Sequence, residues 1–264
     1  MVKAEQALEA YHKRQADPQL LAELEGSFMS MVQTGFVSLG EFDRDERKRI
    51  NDLLGFDGHI VFPTTSFDQI QGATQPAAFA VSVEALNRGL HYFCETDKRI
   101  LPAPYLPFRF ESKDPLDHVA SVIKQDFSMI MIDRVAPAVA RAFTQPDFDP
   151  VWARIQDAEL AVTIHVGTDG GWDPVPLSFY NNGGSVPAHQ EANIPRDALA
   201  CMSIQYNAEL FLAAMVFDDA FERFPRLRVA VVELGASWII SWTKRLDQSF
   251  RALRRLQDLS QVKM

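Results

Sequence analysis

The chain has 264 residues, of which 47% are apolar, and a formal net charge of −9. This length is enough to bury one large core, so a second domain is not required. The negative charge is spread along the sequence, which argues against a basic face that could bind a phosphate backbone. We therefore expect one globular domain and no nucleic-acid partner.

Cysteine use and the first residues indicate the cellular compartment. Cys94 and Cys201 are the two cysteines, and they are far apart and not in a C-x-x-C pair, so neither a disulfide framework nor a thiolate zinc site is indicated. The N-terminal sequence MVKAEQALEAYHKRQ is charged and helix-like, without an apolar run that would form a signal peptide or a membrane span. These features predict a soluble, cytoplasmic protein with no membrane partner.

The N-terminal part of the chain is predicted to be helical. Leucines and a methionine are interspersed among charged residues over 3–34, with Pro18 marking a break, and the pattern continues over 43–54. The whole chain, 1–264, is predicted to be a single barrel domain that begins with this helical segment at about 1–54.

Strands and helices alternate over the rest of the chain. Apolar runs of strand length are separated by helical patterns, and the crossovers have the length of βαβ units. The strands should therefore form a parallel sheet whose functional edge lies at their carboxyl ends. The predicted strands are HIVFP (59–63), parts of HYFCE (91–95) and RILPAPYLPF (99–108), SMIMIDRVAP (128–137), LAVTIHVGT (160–168) and RVAVVELG (228–235). The predicted helices cover 81–89, 118–125, 149–159, 204–224 and 238–253.

The last of these helices carries an apolar stripe that is predicted to face the core. The stripe consists of Trp238, Trp242, Leu246, Phe250 and Leu253, which recur at near-helical spacing. Such a stripe is typical of packing and does not indicate a cofactor site.

One loop, residues 169–197, is far longer than an ordinary connection. It is rich in glycine, proline and asparagine, which is typical of a lid or a binding segment. Asp169, Tyr180 and His189 lie in it and are candidates to close over a ligand, although polar residues in loops are usually only solvated.

Polar residues that follow directly on apolar strands are the candidates for chemistry. His165 ends the apolar run AVTI and precedes the long loop, so its imidazole could bind a metal or carry a proton at the barrel mouth. The alternative is a core histidine that hydrogen bonds to a neighbouring carbonyl. Thr64 and Thr65 end the first predicted strand and are candidates for substrate binding, whereas His59 opens that strand and should serve stability at the opposite end.

Glu233 and Arg134 complete the candidates at the strand ends. Glu233 follows the run VAVV, where an unpaired carboxylate is costly to bury, so it must meet a cation, a metal or several donors. A structural ion pair, for instance with Arg134, is the alternative to a catalytic role. The sequence has no His-x-His pair, H-E-x-x-H helix, P-loop, G-x-S-x-G elbow or G-x-G-x-x-G turn, which argues against nucleotide-binding and serine-hydrolase functions.

The segment FDDAFERFPRLRVAVVELGASWIISWTKRLD (217–247) resembles the second amidohydrolase family, the metal-dependent hydrolases related to aminocarboxymuconate-semialdehyde decarboxylase. That family has a helix ending in R-F-P-x-L-[KR]-V, an apolar strand, a His or Glu followed by glycine, and a later R-x-D. The sequence DPVWA (149–153) with LAVTIHVGT resembles the segment that leads to the family's fifth-strand histidine. GFDGHIVFPTT (55–65) resembles its second strand, so the resemblance covers about residues 43–250.

The resemblance implies an α/β fold, a TIM-like (β/α) barrel of the metal-dependent hydrolase type that holds one divalent metal, usually zinc. His165 matches the metal-binding histidine of the fifth strand, and Glu233 stands where many members place a histidine and a subset places glutamate. The metal would serve hydrolysis or non-oxidative decarboxylation of a small carboxylated or cyclic substrate. Arg134 would clamp a substrate carboxylate, and Asp169 and Glu233 would take part in catalysis.

The sequence departs from the family pattern at both ends. It has no His-x-His or Glu-x-His pair before the presumed second strand and no G-x-D-Y-P-H-like segment after residue 235. The first and last strands of the pattern are thus missing and the barrel is expected to be incomplete. The competing hypothesis is a non-catalytic barrel remnant that binds a partner or forms a homo-oligomer through its open sheet edges.

Overall fold

The computed structural model of the protein describes residues 2–27, 39–63, 66–67, 70, 73, 75–108, 115–132, 143–165, 179, 198–256, 258–259 and 262. The chain divides into two compact units. Unit 1 comprises Met1–Val61 and Arg88–Pro102, and unit 2 comprises Phe62–Asn87 and Ala103–Met264.

The described part of unit 1 begins with helices α1 (Val2–Ala16), α2 (Pro18–Glu25) and α3 (Arg44–Leu54). Asp17 caps α2 by accepting hydrogen bonds from two backbone N–H groups, and Pro18 is the first residue of that helix, where its missing N–H costs nothing. Asp43 caps α3 in the same way. The predicted break at Pro18 is therefore the start of a second helix.

A two-stranded parallel sheet completes unit 1. Strand β1 (His59–Val61) pairs with β2 (Ile100–Pro102), and the C-terminal part of helix α4 (Pro76–Cys94) packs beside them. The residues HYFC (91–94) form the last turn of this helix, which runs from Pro76 through Gly89 without a break, so the strand expected at HYFCE is wrong. Both cysteines are free, and burial raises the pKa of the Cys94 thiol to about 12.

His59 opens β1, the position that the sequence predicts. Among the described residues, neither of its buried ring nitrogens has a hydrogen-bond partner, and its ring packs edge-on against Phe56 at 6.2 Å between ring centroids. Burial lowers the pKa of His59, the charges of Arg47 and Arg99 lower it further, and that of Asp97 opposes them. The folded protein therefore favours the uncharged imidazole.

We expect the protein to lose stability in acid through His59. Because its folded pKa lies below the unfolded value of about 6.5, the unfolded chain binds the proton more readily. The stabilisation is complete above the unfolded pKa and is lost as the pH falls through the folded one. Urea unfolding at several pH values should show a smaller acid loss in His59→Leu than in the wild type, whereas His12→Gln, which alters an exposed histidine of the same unit, should keep it. Equal acid losses in wild type and His59→Leu would contradict the assignment.

Unit 2 is built on a four-stranded parallel sheet. Its strands are β3 (Tyr105–Leu106), β4 (Met129–Ile132), β5 (Ala161–His165) and β6 (Arg228–Val232), in the order β3-β4-β5-β6. The described helices of this unit are the N-terminal part of α4 (to Asn87), α5 (Pro115–Lys124), α6 (Asp149–Asp157), α7 (Ala198–Ser203), α8 (Tyr206–Phe217), α9 (Ala220–Arg223) and α10 (Trp238–Leu253), and a 3₁₀ turn covers Pro146–Phe148.

Strand β4 of this sheet is covered on both faces, which is why it is an apolar run without polar alternation. All four residues of β4 are buried. Ile130 and Ile132 belong to the larger core, which includes Trp152 of α6, and Met131 belongs to a second cluster on the other face. The members of that second cluster are Phe67, Ile70, Phe79, Val83, Tyr105 and Met131, with Phe62, Ala73 and Leu86 packed against it.

The stripe predicted on the last helix is buried in part. Trp238 and Leu246 are buried, as the core assignment predicts, whereas Trp242 and Phe250 are half-buried. Leu253 is 45% exposed, so its inclusion in the core is wrong. It lies at the last residue of α10, where helix ends commonly leave the packed layer.

The predicted α/β class with parallel strands is confirmed. Among the described residues the six strands form two separate sheets, so no closed barrel is present in that part of the chain. None of the helices described is both long and apolar enough to cross a membrane.

Candidate functional site

His165 is the last residue of β5, and strand alternation decides which way it faces. Val162 and Ile164 point into the larger core, so His165 shares the opposite face with Thr163. That face also carries Met131, the register partner of Thr163. His165 as a whole residue is 8% exposed. Its imidazole lies at the carboxyl end of the sheet, as the sequence predicts.

Glu233 follows β6 in a left-handed backbone conformation, with φ of 63°. Val229 and Val231 pack against the larger core, so regular alternation would send the side chain of Glu233 to that same face. The left-handed residue ends the alternation, and its carboxylate lies on the side of His165. This conformation costs a non-glycine residue roughly 1–2 kcal/mol, and such local strain is concentrated at functional sites.

The two side chains meet at the strand ends. His165 Nε2 lies 3.5 Å from Glu233 Oε2, and the imidazole side chain is 10% exposed whereas the carboxylate side chain is 60% exposed. This separation exceeds the usual N–H···O range of about 2.7–3.2 Å. The site thus combines the nitrogen of a buried imidazole with the oxygen of a carboxylate that reaches solvent.

This pair has the donor types and spacing that suit a divalent metal. Zinc binds imidazole nitrogen and carboxylate oxygen at about 2.0–2.2 Å. With bonds of about 2.1 Å, atoms 3.5 Å apart subtend an angle of roughly 110° at the ion, close to the tetrahedral value. Over the ranges that the structure describes, no group of three or more His, Cys, Asp or Glu side chains could hold a metal, so the described donors are two.

Phe62 is a member of this site that the sequence reasoning missed. Its ring lies against the His165 imidazole, with 4.7 Å between centroids and 43° between planes. The signal was available, since Phe62 directly follows β1 at the carboxyl end of an apolar run. The polar residues that follow the predicted strand are Thr64 and Thr65, so a polar criterion points to them and passes over Phe62.

The other predicted site residues lie outside the described part of the chain. These are Thr64, Thr65, Arg134, Asp169, Tyr180 and His189. Of the predicted loop 169–197, Phe179 alone is described. The structure therefore brings together His165 and Glu233, and the remaining assignments stay predictions.

Replacing Glu233 with glycine should separate the cost of its backbone conformation from the contribution of its carboxylate to metal binding. We expect Glu233→Gly to raise the free energy of unfolding by roughly 1 kcal/mol, because glycine adopts positive φ without a steric cost, and to weaken any metal binding at His165. Urea unfolding and calorimetric metal titration measure the two effects.

Glu159 provides a matched control for this substitution. It is an exposed glutamate with φ of 56° at the end of α6, so Glu159→Gly should give a similar gain in stability without changing metal affinity. A loss of stability in Glu233→Gly alone would mean that the carboxylate stabilises the fold by more than its backbone strain costs.

Comparison with known proteins yields structural matches alone. No family model matches the sequence, and no curated protein matches it. An amidohydrolase from Mycobacterium avium subsp. paratuberculosis K-10 matches with a TM-score of 0.64 and 20% identity, covering 83% of this chain and 56% of the other. IDCase from Metarhizium anisopliae matches with a TM-score of 0.57 and 13% identity, covering 81% and 53%.

A third match is the 5-carboxyvanillate decarboxylase from Sphingomonas paucimobilis, with a TM-score of 0.52, 17% identity, and coverage of 80% of this chain and 57% of the other. The chain thus spans little more than half the length of the structures it matches. At these identities the likeness concerns the fold, and it agrees with an incomplete TIM-like barrel.

Proposed function

We propose that this chain, which has the fold of part of an amidohydrolase-type barrel, serves metal-assisted hydrolysis or non-oxidative decarboxylation of a small carboxylated or cyclic substrate. The observation that carries the proposal is the 3.5 Å approach of His165 Nε2 to Glu233 Oε2 at adjacent strand ends. The amidohydrolase and decarboxylase names of the structural matches support this reaction class.

In this proposal His165 and Glu233 hold one divalent ion, with zinc as the ion that suits the donors. When bound, such an ion supplies Lewis-acid polarisation of a substrate oxygen and lowers the pKa of water. The imidazole of His165 is buried and packs against Phe62. The carboxylate of Glu233 reaches solvent, so its oxygens can also accept a proton from a reacting group.

The remaining roles extend the same site beyond the described residues. Arg134 would clamp a substrate carboxylate through its planar guanidinium, and Asp169 would assist proton transfer. Thr64, Thr65, Tyr180 and His189 would contact the substrate. Each role is a proposal that follows from the position of these residues after predicted strands or in the predicted lid.

Metal content is the experiment that tests this function. Protein purified without a metal-affinity tag should carry about one zinc or similar ion per chain by elemental mass spectrometry, and His165→Ala should lower zinc affinity by at least about a hundredfold. The control is His91→Ala, which removes the imidazole of an exposed i,i+4 pair with Glu95 at 3.8 Å.

The outcomes of this experiment differ clearly. Metal that survives His165→Ala, or is lost equally in His91→Ala, would mean that His165 is not a ligand. With metal bound at His165, release of CO₂ from small aromatic carboxylic acids would favour decarboxylation, and opening of lactones or cyclic amides would favour hydrolysis.

A second candidate function rests on the edge of the sheet. Strand β6 pairs with β5 alone in the part of the chain that the structure describes, and Arg228 and Ala230 on it are exposed. A non-catalytic barrel that forms homo-oligomers would cover this edge. Sedimentation of the purified chain distinguishes the two, since a monomer with one bound ion favours the enzyme and a metal-free oligomer favours the binding module.

A further inference from the structure

Phe62 occupies a place that links the candidate site to the interior of unit 2. Its ring contacts the His165 imidazole at 4.7 Å between centroids, and it also packs against the second core cluster. Tyr105 and Phe79 are members of that cluster and meet edge-on at 6.4 Å. Phe62 thus contacts both the candidate metal ligand His165 and the apolar residues of the second core cluster.

The pleat of the sheet explains why this contact forms. Met131 and His165 lie on the same face, because Met131 is the partner of Thr163 in register and His165 is two residues further along β5. The second cluster covers that face next to Met131. An aromatic ring anchored there can therefore pack against the imidazole while Nε2 lies 3.5 Å from Glu233 Oε2.

We propose that Phe62 is a positioning residue, which holds the His165 imidazole in the orientation that places Nε2 beside Glu233. A ligand that is already oriented loses less conformational freedom when it binds. The expected effect on metal binding rests on the proposed function, but the orientation of the imidazole does not. A residue that only filled space would affect stability and leave the imidazole ordered.

The substitutions separate these two roles. Phe62→Leu removes the ring and keeps an apolar side chain, whereas Phe62→Tyr keeps the ring. Phe79→Leu is the matched control, because it removes a ring from the same cluster that contacts Tyr105. If Phe62→Leu does not fold, Phe62→Met removes the same ring and leaves a flexible, unbranched side chain that adapts to the gap.

The first readout is the order of the imidazole in metal-free protein. The ¹³C relaxation order parameter of the His165 Cδ2–H group, assigned by its absence in His165→Gln, should fall in Phe62→Leu and stay at the wild-type value in Phe62→Tyr and Phe79→Leu. The second is zinc affinity by calorimetry, which should fall roughly two- to tenfold in Phe62→Leu alone, as expected for loss of an aromatic contact.

Each outcome decides the matter. An order parameter that is unchanged in Phe62→Leu, or lowered equally in Phe79→Leu, overturns the positioning role. If the order parameter falls in Phe62→Leu but the wild-type protein binds no zinc, the positioning role is supported and the proposed function is contradicted. Lowered order with weakened zinc binding, both restored by Phe62→Tyr, supports the two together.

Discussion

Replacing Glu46 with alanine is expected to lower the free energy of unfolding of unit 1 by about 3–5 kcal/mol, because it leaves a buried guanidinium without its partner. Arg14 is 2% exposed, and it donates from Nε and Nη2 to the two carboxylate oxygens of Glu46, each at 2.7 Å. Glu46 also accepts hydrogen bonds from the Gln15 side chain and the Gly40 backbone. One carboxylate thus joins α1, α3 and the turn before α3.

Two further variants make this prediction specific. Arg49 pairs with Glu25 in the same unit, but its side chain is 62% exposed, so Arg49→Ala should cost only about 0–1 kcal/mol. The double substitution Arg14→Met with Glu46→Leu should cost clearly less than Glu46→Ala, since no charge stays buried alone.

Hydrogen exchange of the α1 and α3 amides during urea unfolding measures the stability of unit 1 directly. Equal costs for Glu46→Ala and Arg49→Ala would mean that burial does not decide the strength of the pair.

Replacing Trp152 with alanine is expected to destabilise unit 2 by about 3–5 kcal/mol, because a fully buried indole leaves a cavity. Trp152 is 0% exposed, and its ring meets Phe108 edge-on at 5.3 Å between centroids. Its Nε1 donates to the Phe143 carbonyl at 2.7 Å. The indole therefore fills part of the larger core and supplies a buried acceptor with a donor.

Comparison with a second tryptophan tests this assignment. Trp152→Phe keeps a ring but removes the donor, so we expect an intermediate cost of about 1–3 kcal/mol. Trp242 is half-buried and donates to the Glu209 carbonyl at 3.0 Å, so Trp242→Ala should cost less than Trp152→Ala. Thermal and urea unfolding give both values, and a larger cost at Trp242 would contradict the placement of the core.

The regular elements were predictable because their signals are local. Capping aspartates and Pro18 mark the helix starts, and the fully apolar runs mark strands covered on both faces. The boundary between α4 and the following strands was harder to predict. HYFCE is apolar enough for a helix or a strand, and its first four residues are helical because they continue the helix that begins at Pro76.

The sequence by itself determined the parallel α/β class and the placement of His165 and Glu233 after adjacent strands, because strand ends of a parallel sheet share one edge. Only the tertiary structure decided how these residues meet. The left-handed backbone of Glu233 turns its carboxylate toward His165, and Phe62 packs on the imidazole from a strand end distant in sequence. Backbone handedness at one glutamate and contacts between distant segments depend on packing, which no local pattern encodes.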